Sequence, residues 1–297
     1  MFSPRLLLIA TLLAPGASSL AQPAFPDRCP DQTPLPFASI AVPHPIDRTC
    51  GPTGKRTSPP NIQLQNRVKN DFCSRNGPEA VTPQTLVDLQ NNTHLPFGHE
   101  REPHDRKMLR DLGEGKVVRI KAYLIEAHHA DVGTGESVNC DGKAEDQNDI
   151  HVALGALPHT EECDSVTAEI SPHYRPLSWN EIGHFEVFNR SNQRYSVNRA
   201  LAARLQSHPY RITGQLFFDA SHDRCPCGAT RCGPSRASLW EIHPVYDIEV
   251  CKTGTHCNEH VDADWLSFDR WWKFLPPLRP ARHSHSHRPH EWRGWFR

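Results

Sequence analysis

After its first 21 residues the sequence has no apolar run long enough to cross a bilayer, so its body offers no candidate for a helical membrane span. It also lacks a Gly-x-Ser-x-Gly nucleophile elbow, a P-loop, a dinucleotide-binding glycine fingerprint and a complete His-Glu-x-x-His helix motif. Those absences remove the enzyme classes that announce themselves by a local motif. Net charge is nearly absent too, with 33 Lys and Arg against 34 Asp and Glu, but it is unevenly placed. From Arg270 to Arg297 stand seven basic residues and one acidic residue, so the chain before that segment is acidic. A basic tail beside an acidic body points to an anionic partner, an envelope surface, or docking of the tail on its own body.

What is present begins with an export signal. Arg5 supplies a positive start, Leu6 to Ala14 an apolar run, and Ser19-Leu20-Ala21 the small residues a signal peptidase reads. Cleavage is expected near Ala21, leaving 276 of the 297 residues in a secreted or periplasmic protein. The ten cysteines, all beyond that point, agree with an oxidising compartment and with up to five disulfides. Their pairing is not legible, although a Cys29–Cys50 bridge would pin the arm between them.

Residues 22–60 are dense in proline and read as an irregular arm. Residues 61–114 read as a small helical region. It has an apolar stripe at Ile62, Leu64, Val68 and Phe72, a Thr82-Pro83 helix start, and a short helix from His104 to Leu112 stopped by Gly113. Residues 115–257 change to a period of two. Val118, Ile120, Ala122 and Leu124 alternate with polar residues, and strands are expected at Glu136 to Cys140, Asp149 to Leu154, Tyr210 to Phe218 and Leu239 to Val250. Val166 to Ile170 is a further candidate, as an extension, and Val197 to Leu205 is helical. Strand, strand, strand, helix, strand, strand is the order of an OB-fold, so the expected class is α+β, mainly β, with an OB-like five-stranded barrel. Its two binding loops would be His128 to Gly135 and Asp219 to Ser238. Residues 258–297 form a Trp- and His-rich tail.

The blocks Gly214-Gln-Leu-Phe-Phe-Asp219, His222 and Ser238-Leu-Trp-Glu-Ile-His-Pro-Val245 resemble the closing part of a group of exported bacterial proteins of unknown function. Gly135-Glu-Ser-Val-Asn-Cys140, Asn148-Asp-Ile-His151 and Thr167-Ala-Glu-Ile-Ser-Pro172 resemble the same group. The resemblance implies an OB-like core and brings no established activity.

Four sets of residues are chemically suggestive. The first is Asp149, His151, Glu169, His222, Glu241 and His243, with Arg236 beside them. Alternation puts Asp149 with His151, and Glu241 with His243, on shared faces, the makings of a divalent-metal or acid–base site. Arg236 would hold an anion. The second is His222, Cys225, Cys227 and Cys232, a possible zinc set that export would instead convert to disulfides. The third is the tail, where Trp265, Trp271, Trp272, Trp292 and Trp295 alternate with basic residues and His283 to His287 and His290 could hold a metal loosely. It reads either as a stacking or membrane-interface element or as a packed segment to Leu275 followed by a loose end. The fourth is His128 and His129 in the first barrel loop, which with Trp240 would line a binding surface. No cofactor is required by any of them. The expected function is an exported, disulfide-stapled module binding an anionic ligand such as an oligonucleotide or sugar polymer. The alternatives are an exported metal-dependent hydrolase or phosphodiesterase, and an envelope structural protein.

Overall fold

The computed structural model describes residues 37–40, 42–73, 77–94, 106–185, 187–188, 194–195, 199–222, 224 and 236–275. The leader, Cys29, Cys225, Cys227, Cys232, Trp292, Trp295 and the tail histidines lie outside them.

Proline and threonine place the early helices. α1 (Pro45–Thr49), α2 (Pro60–Lys69) and α3 (Pro83–Asn92) each carry proline in the first turn, where a missing N–H costs nothing. Thr82 caps α3, accepting from the Thr85 amide at 3.2 Å. α4 (Lys107–Leu112) ends at Gly113, whose φ of 122° suits glycine. The region also holds a strand, β1 (Glu79–Val81). The arm is likewise less irregular than its prolines suggest, since it contains α1 and the short 3₁₀ turn Ala38–Ile40.

The strands that follow are β2 (Val117–His129), β3 (Ile150–Gly155) and β4 (Val166–Ile170). A small hairpin of β5 (Val187–Phe188) and β6 (Arg194–Tyr195) comes next, then α5 (Arg199–Gln206). β7 (Pro209–Phe218), β8 (Trp240–Cys251), β9 (Trp265–Ser267) and α6 (Phe268–Phe274) complete the order. Pairing runs β2-β3-β4-β8-β7 and closes from β7 back to β2, with β4 and β8 parallel and the other barrel pairs antiparallel. This is a closed five-stranded OB-type barrel in an α+β, mainly β chain, with α5 between its third and fourth strands. β1 covers the edge of β2 at Val118–Ile120, where β3 does not reach. β9 covers β8 at Glu249–Cys251, beyond its short pairing with β4. Both added strands blunt edges that would otherwise expose bare backbone groups.

Three strand assignments change. Glu136 to Cys140 is not a strand: Ser137–Asn139 is a 3₁₀ turn and Cys140 has φ of 56°. Val166 to Ile170 is not an extension but the third barrel strand. His128 and His129 are not in a loop but are the last residues of β2. The arm bridge also differs, because Cys50 pairs with Cys140 and not with Cys29. Cys251 pairs with Cys257, Cys73 and Cys163 are disulfide-bonded too, and no described cysteine is free.

Strand alternation separates two environments. Leu124, Val152, Ala168, Ile170, Ile212, Val245 and Ile248 meet inside the barrel in an apolar core. Their neighbours in the chain, His151, Thr167, Glu169, Phe217, Glu241 and His243, face outward yet are buried, because α2 and the segment around Asp219 roof that face. At the far end Trp265, Phe268 and Trp271 are buried, and the Arg211 guanidinium lies over the Trp265 ring, so Trp265 to Leu275 packs on the body. Among the described residues no helix is long and apolar enough to cross a membrane.

Asp247 on β8 offers a clean test of burial. Its carboxyl is pushed up to about 6 by burial and by Glu249, against hydrogen bonds from Ser39 and the Ile248 amide. A folded value above the unfolded one (about 3.9) means that the folded state binds the extra proton. Stability contributed at low pH is therefore lost as pH rises from about 4 to 6. Asp247→Asn should raise stability at pH 7.5 by up to about 3 kcal/mol, at about 1.4 kcal/mol per unit. Urea unfolding checks this: the gain must vanish by pH 4, and an equal gain at both pH values would refute the assignment.

Candidate functional site

The outward face of β3, β4 and β8 carries a buried ionic cluster. Antiparallel register pairs His151 with Glu169, and parallel register sets Thr167 beside Glu241, two residues before His243. Asp219 directly follows β7, and the last residue of α2, Lys69, comes down onto the group. Glu169 is the hub. Its carboxylate lies 2.7 Å from His243 Nδ1, 3.2 Å from His151 Nε2 and 3.3 Å from Lys69 Nζ. Lys69 Nζ also reaches Asp219 at 4.0 Å. Arg236 Nη1 lies 3.3 Å from Glu241 and 3.7 Å from Asp219, while His222 is joined to Asp219 through Nδ1. Phe217 is the apolar plate beneath, with Lys69 and Arg106 over its ring and His243 against its edge.

The sequence set therefore converges. Asp149, His151, Glu169, His222, Arg236, Glu241 and His243 occupy one continuous site. Lys69, Asp219 and Glu136 complete it and carried no local signal as site residues, although Asp219 and Glu136 stand inside the motif blocks of the exported group. Trp240 does not belong: it is buried in the apolar core, stacks edge-on with Phe218 and donates Nε1–H to Thr93, so it offers no binding surface. His128 and His129 separate. His128 lines an open cleft with Glu126, His151, Glu162, Thr167 and Arg236, the route from solvent to the cluster. His129 turns to the other side, beside His184. Of the zinc set, His222 is committed to Asp219, and the three cysteines lie outside the described residues.

Burial and charge split the protonation states. Burial alone would raise the Glu169 carboxyl, but the facing His151, Lys69 and His243 outweigh it and hold it well below the usual range. Asp219 is likewise held low, burial being overcome by Lys69 and His222. Burial, with Glu169 and Asp219 nearby, pushes Glu241 up to about 7. Burial opposes the charged form of His243, yet Glu169 and Glu241 raise it to about 9. His151 is pushed down to about 3 by burial, against the pull of Glu169, and so is neutral near pH 7. Lys69 is raised well above its usual value, because its ring of carboxylates outweighs desolvation.

Two triads have donor atoms within 4.8 Å of one another: Asp149, Glu169 and His243, and Glu169, Asp219 and Glu241. Lys69 and Arg236 already supply cations to the second. The first is different. Asp149 is fully buried, receives no hydrogen bond from an N–H donor, and faces the Glu136 carboxyl, which bonds to it as the acid. Glu136, whose Oε2 is shut off from solvent, is raised well above its usual value by burial and by that same Asp149. A buried carboxylate with no cation or N–H donor is costly, and keeping a second acid protonated beside it adds to that cost near neutral pH. The donor set of carboxylate oxygens and one imidazole suits a small divalent cation, which would relieve both costs. Comparison of the chain with protein-family models, with curated proteins and with solved structures finds no match.

Proposed function

We propose that the chain is an exported, metal-dependent hydrolase acting on an anionic ester, with a phosphodiester as the best-matched substrate class. The observation that carries the reading is the buried Asp149, with no N–H donor on its oxygens and only acidic Glu136 bonded to it, whose donor atoms converge with those of Glu169 and His243. Asp149, Glu169 and His243 would hold a divalent ion, which supplies Lewis acidity and an acidified water when bound. Arg236, at the cleft floor, presents the guanidinium that matches a phosphate. The neutral His151 on the cleft wall can help place an attacking water by hydrogen bonding, and Glu241, near 7 and in contact with His243, is the group suited to exchange a proton. Export is supported by the leader-like first 21 residues and by the disulfides.

A specific observation also supports the binding-module reading. The cleft lies on the end of β2 and on β3 and β4, the second and third barrel strands. OB-folds hold oligonucleotides and oligosaccharides there. One assay separates the two readings. The oxidised mature protein is incubated with bis-p-nitrophenyl phosphate and Mg²⁺, Mn²⁺ or Zn²⁺, with and without chelator. Hydrolysis that needs metal, and that falls about 100-fold or more in Asp149→Asn and Arg236→Lys, supports the enzyme. Metal-independent binding of the diester without turnover supports the module.

A further inference from the structure

A second cluster of metal-ligating side chains lies apart from the ionic cluster. His129 is the last residue of β2, Glu145 opens the 3₁₀ turn Glu145–Gln147, and His184 ends the 3₁₀ helix Leu177–His184. Successive strand residues face opposite sides, so His129 is directed away from the cleft that His128 lines. One donor atom from each of His129, Glu145 and His184 lies within 4.8 Å of the others. The two imidazole rings are 5.3 Å apart, and His184 Nε2 is 3.2 Å from the Glu145 carboxylate.

We propose that His129, Glu145 and His184 form a zinc-class metal site at the surface end of the barrel, independent of the buried cluster. Each histidine already has a partner of the kind that orients a ligand. His129 Nε2 donates to the Asn180 carbonyl at 3.3 Å, which leaves Nδ1 as a buried lone pair with no hydrogen-bond partner. His184 Nε2 donates to the Glu145 carboxylate at 3.2 Å, and an ion between them would take the place of that proton while Glu181, 3.8 Å from Nδ1, steadies the other ring nitrogen. Gly183 holds the His129 ring in place. A Cβ there would come within 2.5 Å of it, so only glycine permits the approach. His129 is pushed down to about 4 by burial and by Arg175, so the imidazole is neutral and available near pH 7. Glu145 is exposed and His184 half-exposed, which gives an ion a path in. Two imidazoles and one carboxylate select Zn²⁺, Ni²⁺ or Cu²⁺ over Mg²⁺ or Ca²⁺ and leave one tetrahedral position for water. Bound there, the ion would tie the 177–184 helix, whose Trp179 and Ile182 plug the core, to β2 and the 145–147 turn.

The test is Zn²⁺ titration of the full-length oxidised protein by calorimetry, with thermal unfolding and Co²⁺ absorption as second readouts. His184→Ala and Glu145→Gln change exposed side chains and should fold normally. Each is expected to weaken one binding event by about tenfold or more, to reduce the Zn²⁺-induced rise in Tm and to abolish the tetrahedral Co²⁺ band. Asp149→Asn should leave that binding event and the tetrahedral Co²⁺ band in place, whatever it removes at the buried cluster. The proposal is overturned if both exposed-site variants bind Zn²⁺ with wild-type stoichiometry and stabilisation. That result would assign the ion to the buried cluster or to the tail histidines.

Discussion

Glu169→Gln should lower the stability of the chain by about 3–5 kcal/mol at pH 6, the range for removing one partner of a buried ion pair. The exchange is nearly isosteric, so cavity formation contributes little. The loss comes from the groups left behind. Lys69, with its side chain 5% exposed, would keep only the longer contact to Asp219, and His243 would lose its 2.7 Å partner and keep only Glu241 at 3.5 Å. An amide also turns an N–H₂ toward cations that need an acceptor. The pH dependence carries the sign. Glu169 is held below its unfolded value, so its contribution is present above about 4.3 and is lost as pH falls through the lower folded value. His243 is raised to about 9, so its contribution is complete below about 6.5 and is lost as pH rises through 9. The contribution of this pair is therefore fullest between about 4.3 and 6.5, so the gap between wild type and Glu169→Gln should be largest there and narrow as pH rises through 9. Urea unfolding of both proteins from pH 5 to 9.5 decides the matter. Parallel curves would mean that the cluster contributes no linkage through this pair.

Strand periodicity made the barrel legible and also hid part of it. Val118 to Leu124 alternates cleanly, but β2 runs on to His129 through a register shift between Leu124 and Glu126. A bulge of that kind inverts the alternation, so the strand seems to stop and its last two histidines read as loop. Glu136 to Cys140 has strand-like residues, yet the Cys50–Cys140 bridge and the backbone hydrogen bonds from Asn139 and Asp141 to Glu136 fold it into a turn. No local pattern reports a partner 90 residues away. The site follows the same logic. Two-residue spacing correctly set Glu241 with His243, and that spacing also put Trp240 on the opposite face, in the core. Lys69 ends a helix 100 residues from Glu169, and only the closed barrel brings the two together.

Removing the Cys50–Cys140 bridge, with both residues changed to Ala, should cost about 4–5 kcal/mol and loosen the site more than the barrel. The bridge spans 90 residues, and cross-linking a loop of that size removes denatured-chain entropy of about that value. The Cys251–Cys257 bridge spans only 6, which by the same relation is worth about half as much. Position sharpens the difference. Cys140 closes the turn that carries Glu136. That turn holds α2 through Asn66 to Ser137 at 3.2 Å and Asn70 to the Val138 carbonyl at 3.2 Å. α2 in turn presents Lys69 to Glu169. Without the bridge, the 136–140 turn holds α2 only by those hydrogen bonds, each worth about 1 kcal/mol, while the other side of α2 stays attached through Gln215 to the Val68 carbonyl at 2.9 Å and Arg106 to Gln65 at 2.9 Å. Amide hydrogen exchange of Cys50→Ala/Cys140→Ala should thus rise most across residues 60–70 and 136–149. β7 and β8, held by ten- and twelve-residue ladders, should stay protected. Uniform acceleration across all strands would show that the bridge stabilises the fold as a whole and has no special hold on the site.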